Sequence, residues 1–253
     1  MPTTPTRQVA VCLLAHPDDA EILCAGALIR LAAMGWQVHI ATATAGDCGT
    51  TSQTAEQISQ TRKAEAAAAA AMIGGAYHCL DERDLKIVYD RPTIQKAIDL
   101  FRRLAPTLVF THAPRDYMLD HEVVSQLARN ASFAFPMPNA SALPLEPGSA
   151  VPHLYYCDPL EGVDPFGQSV QPTTFVDIRR ELELKVKMLA CHRSQREWLR
   201  SHHGMDEYVD AMVRHAARRG GDSGLGHAEG FVQHRGHGYP RNDLLQNLLT
   251  PAS

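Results

Sequence analysis

The sequence lacks the features that mark membrane, secreted or nucleic-acid-binding proteins. Its 253 residues contain no apolar run long enough to cross a bilayer, and residues 1–8 do not form the hydrophobic core of a secretory signal. Lys and Arg number 24 and Asp and Glu 28, with no basic stripe for nucleic acid. The six cysteines form no Cys-x-x-Cys pair, and several lie in apolar runs, which is typical of reduced thiols. We therefore expect a cytoplasmic protein with no membrane or nucleic-acid partner.

Strand-like apolar runs alternate with helical patterns along the first half of the chain. The strand-like runs cover residues 9–15, 38–44, 77–80 and 108–111. The helical patterns that follow them cover residues 21–34, 55–72, 91–104 and 121–133. This order is typical of a doubly wound parallel sheet, in which successive loops lie at the same edge.

The second half is expected to extend the same architecture. Its patterns predict a short helix in the tail DLLQNLL, strands at 153–157 and 174–178, and helices at 179–202 and 206–218. No internal repeat or linker divides the chain. The sequence therefore predicts an α/β fold, with one Rossmann-like domain over residues 1–253. Its sheet is expected to be mostly parallel with helices on both faces, and the segment at about 203–253 is expected to pack near the site.

Polar residues follow the first predicted strand without a spacer, beginning with His16, Pro17, Asp18 and Asp19. Ligands of open α/β sheets bind at the carboxyl ends of the strands. His16 and Asp19 are three positions apart, so an imidazole nitrogen and a carboxylate oxygen can face one ion. A turn followed by a helix cap uses the same residue types. The metal site is favoured because a second Asp-His pair, ending in His121, follows the fourth strand.

His16, Asp19 and His121 could supply three ligands and leave a fourth position for water, which is the pattern of a catalytic zinc. Zinc lowers the pKa of its water to about 7 and polarises a carbonyl group. Asp18 lies next to a ligand and is predicted to be the general base. Two histidines and an aspartate also suit Fe²⁺ or manganese.

Three segments, AHPDDAE, AGDCG and DYMLDH, resemble the LmbE-like, PIG-L family of zinc-dependent N-deacetylases. The resemblance implies that His16, Asp19 and His121 bind zinc and that Asp18 is the base. It also implies that Arg62, in RKAEA, reaches the substrate. Further along, KMLACHRSQ resembles a family helix that ends in His-x-Ser-Gln, and AEGFVQHRGHGYP resembles a family tail.

Two positions depart from the family pattern. Ala20 moves the following Glu one place later than in AHPDDE, and Met118 replaces the first His of the HPDH motif. In relatives that His stabilises the oxyanion or passes a proton to the leaving amine, and methionine can do neither. The candidates to supply the missing function are His112, Tyr117, His227, His234 and His237.

Three further residues have two interpretations each. Asp47 either shapes the pocket or caps a turn between glycines, and Arg62 either binds substrate or pairs with Glu65 on its own helix. The family resemblance favours substrate binding for Arg62.

Asp120 is expected to orient His121, because ligating histidines donate their second N–H to a carboxylate, or else to cap the following helix. Asp116 is expected to pair with Arg115 and hold the loop.

These observations predict a zinc-dependent hydrolase that removes an N-acetyl or other acyl group from an amino sugar, such as N-acetylglucosamine, or from a sugar conjugate. Metal-bound water would be the nucleophile, with Asp18 as base; catalysis would also involve Asp120, and substrate would contact Arg62, Asp47, Tyr117 and His112. The alternative is a metal-dependent hydratase or lyase that acts on an unsaturated carboxylic acid at the same site. A non-catalytic module would need a fourth protein ligand. The expected partners are the small N-acetylated substrate and further copies of the chain.

Overall fold

The computed structural model describes residues 8–203 and 208–249, and it describes only the backbone of residues 202 and 203. The predictions for residues 1–7, and for residues 204–207 and 250–253 of the C-terminal segment, lie outside the described residues. The strands are β1 (Val9–Leu14), β2 (Gln37–Thr44), β3 (Ala76–Glu82), β4 (Leu108–Thr111), β5 (His153–Cys157), β6 (Thr174–Asp177) and β7 (Ala228–Gln233).

The helices connect these strands and cover the sheet. They are α1 (Asp19–Leu23), α2 (Ala25–Ala33), α3 (Ala55–Ala71), α4 (Arg91–Leu104), α5 (Leu119–Ala134), α6 (Leu182–Leu189), α7 (Arg193–His203), α8 (Tyr208–Ser223) and α9 (Leu244–Leu249). Within the described ranges, none of these helices is long and apolar enough to cross a membrane.

The sheet has the strand order β3-β2-β1-β4-β5-β7-β6. Strands β1 to β5 pair in parallel, whereas β7 is antiparallel to both β5 and β6. The order reverses between β1 and β4, because the chain first builds outward through β2 and β3 and then returns to the other side of β1. Such a switch point opens a crevice at the carboxyl ends of the two strands.

Strand β1 lies at the centre of the sheet and is buried throughout. Its alternate residues enter two separate hydrophobic clusters, with Ala10, Cys12 and Leu14 on one face and Val9, Val11 and Leu13 on the other. A strand covered by helices on both faces needs an apolar residue at every position, which explains the unbroken sequence VAVCLL. The predicted α/β fold with a mostly parallel sheet is confirmed.

The second half of the chain departs most from the predicted elements. The single helix predicted at 179–202 is wrong, because α6 ends at Leu189 and α7 begins at Arg193. The break places His192 in the interior, where its Nε2 atom lies 3.2 Å from Oε2 of Glu21. The distant carboxylate of Glu65 then accepts hydrogen bonds from Ser194 N and Oγ at the start of α7.

Strand β7 was not predicted, and the helix predicted at 206–218 was ended too early. Helix α8 continues through Gly220 and Gly221 before it ends at Ser223. The β7 sequence AEGFVQ is almost fully buried, but Glu229 and Gly230 hide the apolar pattern of a core strand. Glu229 is tolerated there because Lys185 pairs with it.

Candidate metal and catalytic site

The candidate site lies where β1 and β4 end, at the switch point of the sheet. A cavity of about 700 Å³ opens there, and His16, Asp18, Asp19 and His121 line it. This volume is in the range of small-molecule sites in proteins. The fold therefore brings together two segments that are about a hundred residues apart in the sequence.

The three predicted ligands lie close together and are buried. Ligand atoms of His16, Asp19 and His121 lie within 4.8 Å of one another. The Oδ2 atom of Asp19 is 3.4 Å from His16 Nδ1, and its Oδ1 atom is 3.7 Å from His121 Nε2. Asp19 also accepts a 2.7 Å hydrogen bond from the backbone N–H of His16, which fixes the carboxylate against the turn.

Each imidazole is held by a carboxylate through its other nitrogen. Asp116 Oδ1 lies 2.9 Å from Nδ1 of His121, and Asp120 Oδ2 lies 3.2 Å from Nε2 of His16. Asp120 also accepts a hydrogen bond from the backbone N–H of Leu85. These contacts leave His16 Nδ1 and His121 Nε2 to bind an ion, with carboxylate partners of the kind that orient metal-bound histidines.

The expected partner of His121 was therefore wrong. Asp120 and His121 are successive residues of α5, and neighbouring side chains on a helix point in different directions. Asp120 consequently faces His16, and Asp116 in the preceding loop reaches His121 instead of pairing with the exposed Arg115. Asp120 does not cap α5 either, because the residue that precedes its first turn is Met118.

The electrostatics of the site favour a cation. Burial disfavours the imidazolium form of His16, but the hydrogen bonds to Asp120 and Asp19 outweigh it and raise its pKa to about 10. Burial also works against ionisation of Asp19, yet the surrounding histidines hold its pKa well below the ordinary value. The pKa of His121 is raised in the same way, because Asp19 and Asp116 outweigh its burial. Carboxylates that stabilise positive charge so strongly would also stabilise a divalent ion.

A second group of potential ligands overlaps the first. Atoms of His112, Asp116 and His121 also lie within 4.8 Å of one another. Neither His112 nor Asp116 lines the cavity, so an ion held by this group would not meet substrate. The group His16, Asp19 and His121 is therefore the candidate metal centre, and its two nitrogens and one oxygen suit zinc or another transition metal.

His112 lies behind the ligands, which corrects its expected place among the substrate-binding residues. It is fully buried, and its Nε2 accepts a 2.9 Å hydrogen bond from the backbone N–H of Ala15. Burial and the neighbouring His121 lower its pKa to about 4, so the ring is neutral at pH 7. It stacks on His121 with 3.8 Å between ring centroids and supports the position of that ligand.

Asp18 has an unusual backbone conformation for a residue with a side chain, with φ of 107°. Such strain persists where the surroundings fix it, and it is common at functional sites. The Oδ2 atom accepts a 2.5 Å hydrogen bond from Tyr208 Oη and lies 3.7 Å from Nη2 of Arg62. Burial raises the pKa of Asp18, although Arg62 acts in the opposite direction. A raised pKa makes the carboxylate a stronger base.

Arg62 lines the cavity from α3, yet its guanidinium donates hydrogen bonds to backbone carbonyl oxygens. It donates to the carbonyl oxygens of Gly46 and Pro17, each at 3.1 Å. A Cβ atom on Gly46 would lie 2.2 Å from Nη1 of Arg62, so this approach requires glycine. The alternative pairing with Glu65 is not formed, because that carboxylate binds Ser194.

Asp47 and Tyr117 differ in their access to the cavity. Asp47 is buried, accepts a 2.8 Å hydrogen bond from the backbone N–H of Asp84 and pairs with Arg83. It does not line the cavity, and its effect on the pocket is through Asp84, which does. Tyr117 lines the cavity, is 66% exposed and lies edge-on to the ring of His121.

Several lining residues were not among the predicted site residues, and they come from α7 and α8. They are Gln195, Trp198, Leu199, Tyr208, Met212 and Arg214. The sequence pointed only to Gln195, through the His-x-Ser-Gln run.

The C-terminal histidines that were candidates to replace the missing family histidine lie outside the cavity. His227, His234 and His237 do not line the cavity. His234 lies 2.9 Å from the hydroxyl of Tyr156 instead.

Fold and site together define a class of protein: an α/β protein with a candidate divalent-metal centre of two histidines and one aspartate at the switch point of its sheet. The family described as PIG-L, GlcNAc-PI de-N-acetylase, matches residues 11–132, which include all three candidate ligands. Residues 11–132 therefore carry the match to the PIG-L (LmbE-like) family, a family of metal-dependent hydrolases.

Relatives of known activity fall into two kinds. 4-Oxalmesaconate hydratase of Pseudomonas putida is 27% identical over 203 residues, which are 76% of this chain and 75% of that protein. Diacetylchitobiose deacetylase of Thermococcus kodakarensis is 26% identical over 199 residues, which are 73% of this chain and 69% of that protein.

Solved structures show the same division. The N,N'-diacetylchitobiose deacetylase of Pyrococcus horikoshii has a TM-score of 0.77 at 25% identity, covering 94% of this chain and 88% of that one. The 4-carboxy-2-hydroxymuconate hydratase of Pseudomonas putida has a TM-score of 0.74 at 23% identity, covering 93% and 98%, which is a likeness of fold.

Proposed function

We propose that the chain is a zinc-dependent N-deacetylase that removes the acetyl group from an amino sugar or sugar conjugate. The observation that carries the proposal is the meeting of His16, Asp19 and His121 in the wall of one cavity, with the Asp18 carboxylate beside them. The family and the deacetylase relatives support the same reaction.

The candidate site residues have separate roles in this reaction. His16, Asp19 and His121 would hold the metal, which when bound activates water and polarises the amide carbonyl. Tyr208 and Arg62 hold the Oδ2 atom of Asp18, which leaves Oδ1 to accept a proton from the attacking water. The burial of His16, Asp19 and His121 lowers the local dielectric constant and strengthens each of these interactions.

The cavity lining suits a neutral sugar amide better than a polyanion. Trp198 and Tyr117 offer aromatic faces for a sugar ring, and most of the lining is apolar. Of the two lining arginines, Arg62 is already hydrogen-bonded to backbone carbonyls, and the carboxylates of Asp84 and Glu161 also face the cavity. A substrate with several carboxylates would be repelled by these two acids and by Asp18, whereas a neutral amide would not.

A second candidate is a metal-dependent hydratase that acts on an unsaturated carboxylic acid. One observation favours it: Met118 lines the cavity at the position where deacetylases of the family carry a histidine. The hydratase relative from Pseudomonas putida supports this alternative as well. The same ligands and Asp18 could add water to a double bond.

Two assays on the purified chain separate these reactions. Acetate release is measured from N-acetylglucosamine and N,N'-diacetylchitobiose, and hydration is followed as the loss of ultraviolet absorbance of a conjugated unsaturated dicarboxylate. We expect acetate release that is abolished in Asp18→Asn, and no loss of absorbance. Hydration of the dicarboxylate without acetate release would contradict the proposal and establish the second candidate.

A further inference from the structure

The proton that completes amide hydrolysis needs a donor at the leaving nitrogen, and the family histidine that could provide it is Met118 in this chain. We propose that Tyr208 donates this proton, acting as a relay between Asp18 and the leaving amine. The inference rests on the proposed function and adds a catalytic residue from the C-terminal part of the chain.

The position of Tyr208 carries the inference. It is the first described residue of α8, it is buried, and it lines the cavity together with Asp18. Its hydroxyl donates to Asp18 Oδ2 at 2.5 Å, so the phenol directly contacts the group that takes the proton from water. Tyr208 packs with Leu189 and Met212 in a small hydrophobic cluster, which fixes the ring.

Other donors near the base are less suitable. Arg62 approaches the same carboxylate oxygen at 3.7 Å, but a guanidinium does not lose its proton in proteins. Tyr117 is largely exposed and lies against the ring of His121. Tyr208 combines a transferable proton, contact with the base and access to the cavity.

The relay balances as follows. The water oxygen bonds to the amide carbon as Asp18 takes one water proton, and the neutral carboxyl group, no longer attracted by Arg62, can turn its O–H toward Tyr208. When the C–N bond breaks, the Tyr208 proton moves to the nitrogen and the Asp18 proton moves to the phenol oxygen. The products are acetic acid, which keeps the second water proton, and the free amine, and both side chains return to their starting states. The acid then loses that proton to solvent or to the amine, which gives acetate.

The test compares two substrates that differ in their leaving group. The amine released from an N-acetyl sugar must be protonated, whereas the 4-nitrophenolate released from 4-nitrophenyl acetate need not be. In Tyr208→Phe we expect kcat for the amide to fall about a hundredfold with KM unchanged. The ester rate should fall by less than about tenfold, because the metal and Asp18 remain although Asp18 loses one hydrogen bond. Metal content should also be unchanged.

Tyr239→Phe is the matched control. It removes another tyrosine hydroxyl with a 2.6 Å hydrogen bond, here to the carbonyl of Arg129, and it lies outside the cavity. Both reactions should be unchanged in this variant. Equal losses on amide and ester in Tyr208→Phe would overturn the relay, since they would mean that Tyr208 only positions Asp18.

A second variant tests the relay even if Tyr208→Phe does not fold. Insertion of 3,5-difluorotyrosine at position 208 keeps the hydroxyl and changes its acidity, so the amide kcat should change while the ester rate does not. An unchanged amide kcat would overturn the relay alone. A wild-type chain that releases no acetate from any amide would overturn the proposed function and the relay together.

Discussion

The two parts of the chain contribute different things to one cavity. Residues 9–132 supply the candidate ligands and the base, all at the carboxyl ends of parallel strands, either in the loop or in the first turn of the following helix. Residues 153–249 supply α7 and α8, whose side chains line another part of the cavity, and the antiparallel strand β7. Under the proposed function, the N-terminal part would set the reaction, and the C-terminal part would contribute to substrate binding and to the delivery of the proton.

Removal of the base should give the largest effect on rate without affecting the metal. Asp18→Ala is expected to lower kcat about a thousandfold, because proton transfer from water loses its acceptor. Metal content, measured by mass spectrometry, should match wild type, since His16, Asp19 and His121 remain. A variant with full activity and normal metal content would show that Asp18 is not the base.

The contact between the two parts should depend on a buried charge pair. Lys185 Nζ lies 2.5 Å from Glu229 Oε1, and Glu229 also accepts hydrogen bonds from the backbone N–H groups of Gly26 and Ala27. Lys185→Met leaves the buried Glu229 carboxylate without its cationic partner, so we expect the free energy of unfolding to fall by about 3–5 kcal/mol. Urea unfolding followed by circular dichroism measures this change.

The same helix provides the control for that experiment. Lys187 forms an exposed pair with Glu183 at 2.6 Å, and Lys187→Met should leave the free energy of unfolding close to that of wild type. Equal costs for the two variants would mean that the buried pair does not hold β7 and α6 against the N-terminal part.

The carboxylate behind His121 should tune metal affinity. Asp116→Ala removes the acceptor at His121 Nδ1 and is expected to weaken metal binding about 10–100-fold. Asp116→Asn should lose less, because its amide oxygen can still accept the hydrogen bond. Competition with a chromophoric chelator measures both affinities, and an Asp116→Ala affinity equal to wild type would assign no such role to this residue.

The smallest effect is expected from a side chain that lines the cavity without taking part in the reaction. Trp198→Ala should raise KM for an N-acetyl sugar about fivefold, roughly the loss of 1 kcal/mol of stacking, with kcat and metal content near wild type. Steady-state acetate release measures both constants. A fall in kcat at constant KM would show that Trp198 acts in the reaction itself. It would contradict the assignment of the reaction to the N-terminal part alone.

The sequence predicted the N-terminal part well because its information is local. The unbroken apolar run of β1 predicts the buried strand. The three-residue spacing of His16 and Asp19 predicts that both side chains can bind one ion. The partners of these residues depended on tertiary packing: Asp120 and Asp116 are both near His121 in sequence, and only helix phase decides which one reaches it.

The C-terminal part was harder to predict because its side chains act at long range. Tyr208 contacts a residue 190 positions earlier, and no motif marks it. Strand β7 was missed because Glu229 interrupts its apolar pattern, and the charge becomes tolerable only when Lys185 lies against it.

The central claim is that strand-end residues of the N-terminal part form the metal centre, and the metal content of His121→Ala tests it most directly. His153→Ala is the control, because its histidine lies at the start of β5 and contacts Asn242. We predict about one metal ion per chain in wild type and in His153→Ala, as a single catalytic centre requires, and almost none in His121→Ala. Undiminished metal in His121→Ala would contradict the account.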